Sequence, residues 1–191
     1  MPLEPPPTMP PPPTATRRRF LHAGAMSFLA AALGPRLALA AAEEPRRLRM
    51  LNTHTLERID LPYFDGSGFV PQALDEFNRL LRDHRCGGVF PIDPGALDIA
   101  WSLARAVGRA DGEYEIISGF RSPETNASLR AAGRGVARGS LHCLGKAIDL
   151  RLPGVPTSTL RDAALELARG GVGYYASSDF VHVDTGRVRR W

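Results

Sequence analysis

The chain has 191 residues, 43% of them hydrophobic and 23% charged, which suits one globular domain plus a short processed segment. Its formal charge of +4 is concentrated at the start. Residues 1–42 hold Arg17, Arg18, Arg19 and Arg36 against Glu4 alone, so of 24 basic and 20 acidic residues the rest of the chain keeps 20 and 19. A domain so close to neutral lacks the electrostatic footprint of a nucleic-acid binder, and no nucleic-acid partner is expected.

Residues 1–15 are proline-rich and cannot build a packed element. Thr16-Arg17-Arg18-Arg19-Phe20-Leu21 then precedes an apolar run from Ala23 to Leu33 and the tripeptide Ala38-Leu39-Ala40. A basic head, a short apolar stretch and an A-x-A site describe an export leader. The stretch is too short to cross a hydrocarbon layer of about 30 Å, so no membrane span is expected in the mature form. Paired arginines ahead of Phe20-Leu21 resemble the twin-arginine export signal, which points to the periplasm. The expected organisation is a twin-arginine signal peptide over residues 1–42, removed on export, and a single domain over 43–191.

From Arg47 to Phe64 loose alternation predicts a β-hairpin, edge-like because Pro62 cannot donate to a ladder. Asp65 to Gly68 reads as a turn. Pro71 opens a helix expected to run to about His84, with Leu74, Phe77, Leu80 and Leu81 on one face. Asp93-Pro94 opens a second, whose stripe is Leu97, Ala100, Trp101, Ala104 and Val107. Tyr114 to Ile117 is β-branched and aromatic, hence a strand. Ser122-Pro123-Glu124 caps a short helix to about Ala132, and the glycine-rich stretch from Gly133 to Ser140 is a loop. Lys146 to Leu152 alternates, with Ile148, Leu150 and Leu152 opposite Ala147, Asp149 and Arg151. Thr157 to Arg169 is an amphipathic helix expected to close on Gly170-Gly171. Val172–Tyr175 and Phe180–Asp184 are two further strands, the last with Phe180, His182 and Asp184 on one face. Helices and strands in mixed order, without regular βα alternation, predict an α+β domain with an antiparallel sheet and flanking helices.

Chemistry concentrates in Ser140-Leu-His142-Cys-Leu-Gly145-Lys-Ala147-Ile-Asp149 and in His182. Two histidines and one aspartate can supply three ligands to a catalytic zinc, leaving one position open for water. Taken singly, each has a plainer reading: an aspartate in a strand is usually solvated, and a lone histidine is usually a satisfied polar group.

The run from Ser140 to Asp149 resembles the S-x-H-x-x-G-x-A-x-D signature of the D-Ala-D-Ala peptidase family of zinc metallopeptidases, grouped with lysostaphin-type enzymes and the hedgehog domain. Ser118-Gly-Phe-Arg121-Ser122 resembles its S-G-[YF]-R-S element. The stretch from Leu48 to Trp191, with Gly171-Val-Gly-Tyr-Tyr175 and Phe180 to Gly186, is similar to the MepK-type murein endopeptidase branch. The resemblance implies a hedgehog/DD-peptidase-like single domain and His142, Asp149 and His182 as Zn2+ ligands. It further implies an enzyme that hydrolyses the peptide cross-links of peptidoglycan, with the peptide stems as partner. Asp179, three residues before His182, stands where the family places its acidic proton carrier. Asp184 is the reserve candidate, or an orienting partner of a ligand. Arg121 matches an arginine that binds substrate carboxylate or developing oxyanion, and Ser140 would contact substrate.

Rival readings are a D,D-carboxypeptidase on the same chemistry, a non-catalytic zinc-binding peptidoglycan module, and a cysteine hydrolase using Cys143 with His182. Cys86 and Cys143 are the only cysteines, and an exported chain permits a disulfide between them without requiring it. Arg130, Arg134 and Arg138 read as a solvated face.

Overall fold

Alternation along the strands sets the architecture. The computed structural model describes residues 43–133 and 135–191; the expected leader over 1–42 and Arg134 lie outside the described residues. The hairpin is β1 (Arg46–Asn52) and β2 (Arg58–Phe64), followed by α1 (Pro71–Leu80), α2 (Pro94–Ala106), β3 (Glu113–Ser118) and α3 (Pro123–Ala131). Then come β4 (Ala147–Arg151), α4 (Thr157–Leu167), β5 (Gly171–Tyr175), β6 (Phe180–Asp184) and β7 (Arg189–Arg190). The strands form one seven-stranded sheet in the order β2-β1-β3-β4-β6-β5-β7. Pro62 sits on β2, an edge strand, where its missing N–H costs no ladder bond.

One side of the central strands is apolar. Ile148 and Leu150 of β4 pair with Val183 and Val181 of β6, and Ile116 of β3 lies opposite Leu150. These residues join Met50, Tyr114, Phe77, Leu97, Leu103 and Leu160 in one buried cluster under the helices. The other side of β4 and β6 carries Ala147, Asp149, His182 and Asp184, also buried.

Four expectations need correcting in detail. The α+β class stands, but the sheet is mixed, since β1 runs parallel to β3 and β5 parallel to β7. The first helix stops at Leu80, short of His84. Residues after it fold into a loop on Asp83, whose N–H donates to Gly88 and whose carbonyl accepts from Gly87. The fourth helix ends at Leu167 with Ala168 in the left-handed region, φ 49°, not on the glycines. Gly170 and Gly171 are taken up instead by packing, for a Cβ on Gly170 would lie 1.6 Å from the Asp184 carbonyl oxygen. His142, which the loop expected over Gly133 to Ser140 was to bring to the site, sits in a single 3-10 turn, Leu141–Leu144. The turn at residues 141–144 and the two-residue β7 left no periodic signal.

Candidate metal centre

Asp149 and His182 face each other directly across the β4–β6 ladder, so antiparallel register alone brings a carboxylate and an imidazole together. His142 arrives from the 3-10 turn, which Gly145 ends at φ 65°. No other residue fits at 145. A Cβ there would lie 2.1 Å from the Pro91 carbonyl oxygen, and the Gly145 carbonyl accepts from Asp93 N–H.

Three donor atoms converge. His142 Nε2 lies 3.2 Å from Asp149 Oδ1 and 3.1 Å from His182 Nδ1, and His182 Nδ1 lies 2.8 Å from Asp149 Oδ1. Ligands about 2.1 Å from a tetrahedral ion stand roughly 3.4 Å apart, so a small outward relaxation of this triangle accommodates one. The outward nitrogens are committed elsewhere. His142 Nδ1–H donates to the Gly119 carbonyl at 2.7 Å, and His182 Nε2–H donates to Asp184 Oδ2 at 2.9 Å. These bonds leave the inward nitrogen of each ring as the lone-pair donor, the tautomer that metal ligation needs. Among the described residues, His142, Asp149 and His182 are the group that could hold a metal ion.

The electrostatics agree with a cation site. Burial pushes the Asp149 carboxyl up, but the charges and hydrogen bonds of His142 and His182 outweigh it and hold the group well below the usual carboxylate range. Burial likewise opposes charge on His182, yet Asp149 and Asp184 flank the ring and raise its pKa.

Arg121 is buried beside this cluster. Its Nη2 reaches Ser118 Oγ at 3.2 Å and Asp149 Oδ2 at 3.5 Å, while its Nε has no hydrogen-bond partner. A register shift between Ile116 and Ser118 sets Ser118 opposite Asp149, a bulge placed where a side chain must be re-aimed. The loop carrying Arg121 hangs on Asp83, which accepts from Ser122 N–H at 2.9 Å and Arg85 N–H at 3.0 Å. Burial raises the Asp83 carboxyl, but these donors and the Thr125 hydroxyl win and lower it to about 2.

The sequence profile described as Peptidoglycan L,D-endopeptidase MepK matches residues 40–191. Relatives of that name from Escherichia coli K12 and Shigella flexneri are each 42% identical over 178 residues, covering 93% of this chain and 97% of theirs. A relative from Haemophilus influenzae is 41% identical over 155 residues, covering 81% of this chain and 83% of its own. The chain belongs to this peptidase family. A solved structure of the Serratia marcescens L-Ala D-Glu endopeptidase ChiX aligns with 51% of this chain and 69% of its own at 18% identity, with a TM-score of 0.32, too distant for structural inference.

Within this family member the remaining site residues are placed unequally. Asp179 is outside the converged cluster. It is in the left-handed region at φ 53° with its carboxylate exposed, accepting from Thr157 Oγ1 at 3.0 Å and lying 3.6 Å from Arg151 Nη1. Arg151, its partner, lies two residues past Asp149 on the same side of β4. Asp184 is fully buried, and Gly171 N–H, Gly186 N–H, Arg189 and His182 all donate to it. Ser140 is half-buried and its hydroxyl does not cap the turn that follows. Cys86 and Cys143 are both free thiols, and burial raises the Cys143 pKa. Arg130 and Arg138 are exposed, as a solvated face requires.

Sequence reasoning passed over Asp83, Arg151, Arg189 and Trp191. Asp83 closes a helix by pattern, and its long-range partners leave no local mark. Arg189 and Trp191 are flagged only by the paired glycines of β5, which read as a weak strand.

Proposed function

We propose that this chain is a zinc-dependent L,D-endopeptidase that hydrolyses peptide cross-links of peptidoglycan in the periplasm, reached by the twin-arginine route after loss of residues 1–42. The observation that carries the zinc reading is the His142–Asp149–His182 triangle, with each histidine's outer nitrogen already spent on a fixed acceptor. A zinc ion held by these three side chains would polarise the scissile carbonyl and lower the pKa of a bound water. L,D specificity rests on the names of relatives 41–42% identical to this chain.

Asp179 takes the proton from the attacking water and passes it to the leaving amine. Its exposed carboxylate supports this role, and so does the condition of its competitor. Asp184 has both oxygens engaged and no surface exposed, so substrate cannot reach it. Arg121, its guanidinium 3.5 Å from Asp149 beside the cluster, is the charged group for a substrate carboxylate or a developing oxyanion. Arg121 also neutralises the outer oxygen of Asp149.

The test is digestion of cross-linked muropeptides by the purified, zinc-reloaded protein, with products identified by mass spectrometry. Scission at the L,D cross-link is expected, and zinc chelation should abolish it while iodoacetamide leaves it intact. Release of terminal D-alanine alone would replace the endopeptidase with a carboxypeptidase. Absence of any product would remove the enzymatic reading.

A further inference from the structure

The side of β5 that faces the metal cluster carries glycine twice. Gly173 lies directly opposite His182, and Gly171 N–H donates to Asp184 Oδ1 at 3.0 Å. With no side chains there, β5 has two gaps in an otherwise occupied row. β7 pairs in parallel with β5, Gly171 against Arg189, and Trp191 continues the pairing through bonds to Val172 O and Tyr174 N–H. Arg189 and Trp191 lie two apart, hence on one side of that strand.

Both side chains reach across β5 through these gaps. A Cβ on Gly171 would stand 2.3 Å from Arg189 Nη1, and one on Gly173 would stand 2.7 Å from Trp191 Cε2. Beyond the first gap, Arg189 meets Asp184 with two parallel hydrogen bonds, 2.7 Å to Oδ2 and 3.0 Å to Oδ1. Asp184 Oδ2 in turn accepts His182 Nε2–H. Beyond the second gap, the Trp191 indole lies with its centroid 5.1 Å from that of His182. The indole is itself pinned by donating to the Tyr175 hydroxyl at 2.9 Å and by the Arg189 guanidinium 4.9 Å from its ring.

We propose that Arg189 and Trp191 are positioning residues of the metal centre, acting on His182 through Asp184 and through ring packing across the Gly171 and Gly173 gaps. This rests on the reading of His182 as a metal ligand. His182 is the one ligand presented by Nδ1, the nitrogen nearer the backbone, so a modest ring rotation carries its lone pair off the Asp149–His142 triangle. Arg189 fixes the acceptor that sets the ring's tautomer. Trp191 blocks the rotation. Neither touches substrate or metal in this arrangement.

The test is zinc affinity of the purified protein, measured by competition with a chromophoric chelator, for wild type and for Arg189→Ala, Trp191→Ala, Gly173→Ala and Arg190→Ala. Loss of an outer-shell partner costs about 10–100-fold in metal affinity, and that loss is expected for the first three. Arg190→Ala, on the same strand, should bind zinc like wild type. Should Arg189→Ala fail to fold, Arg189→Lys keeps the charge without the fork and is expected to weaken zinc by a smaller but measurable factor. A second readout comes from Trp101→Phe, which leaves Trp191 as the sole tryptophan of the two in the chain, whose emission should then change as zinc is titrated in. Folded Arg189 and Trp191 variants that bind zinc within about twofold of wild type would overturn the proposal. Wild type that takes up no zinc would instead overturn the metal reading beneath it.

Discussion

The two sides of β4 and β6 put opposite chemistry on the same backbone. Ile148, Leu150, Val181 and Val183 point into the helix-covered core, while Asp149, His182 and Asp184, one residue out of phase, build a buried polar cluster. On the apolar side, contacts are numerous, undirected and individually replaceable. On the polar side His142, Asp149, His182 and Asp184 each have a named partner, and much of the support comes from far along the chain: Gly119 for His142, Arg189 for Asp184, Asp83 for the Arg121 loop. The core fixes the register, and the register in turn sets Asp149 against His182. A one-residue slip of β4 would bury Ile148 among charges and turn Asp149 towards the helices.

That contrast can be broken first at adjacent residues. Asp149→Asn or His142→Ala should abolish zinc uptake and cross-link cleavage while far-UV circular dichroism stays native, because the fold rests on the opposite side. Asp179→Asn should keep zinc, by metal analysis, and lower kcat by about 10²–10⁴-fold, the usual contribution of a proton carrier; undiminished turnover would move that role to another group. Ile148→Ala, next to Asp149, should cost about 2–5 kcal/mol in denaturant unfolding with zinc still bound by the folded fraction.

Smaller effects follow from pH. His182 in the metal-free protein has a raised pKa, so its proton is held until pH climbs past that value, and zinc must displace it. Apparent zinc affinity, measured by chelator competition, should therefore fall as pH is lowered through that range. His84 behaves in the opposite sense. Burial, with His54 and Arg85 nearby, lowers it to about 4, and its ring stacks on His54 with centroids 3.7 Å apart. The unfolded chain takes up a proton near pH 6.5 that folded His84 refuses, so stability present above about pH 6.5 is lost as pH falls towards 4. His84→Phe should flatten that part of the stability profile, and an unchanged slope would remove His84 as its source.

Local pattern carried most of the fold. Ser122 and Asp93 cap their helices as their sequence contexts demand, accepting from Thr125 N–H and Gly95 N–H, and the β4 alternation correctly separates Ile148 from Asp149. The S-x-H-x-x-G-x-A-x-D run made His142 and Asp149 legible as a pair, because the turn and strand that unite them are local. Long-range terms stayed hidden. The parallel pairings of β1 with β3 and β5 with β7 depend on crossovers that no window contains, and β7 is two residues long. Gly171 and Gly173 reveal their purpose only when Arg189 and Trp191 are seen lying through them. Asp179 was legible as a residue at the right spacing, but its left-handed backbone and its partners Thr157 and Arg151 were not.

X-ray absorption at the zinc edge of the purified, zinc-loaded protein tests the central claim most directly, since it counts and identifies the ligand atoms. One zinc per chain in a shell of two imidazole nitrogens plus oxygens, with no sulfur, is the predicted result. A sulfur scatterer from Cys143, or a shell with fewer than two imidazoles, would contradict a centre built from His142, Asp149 and His182.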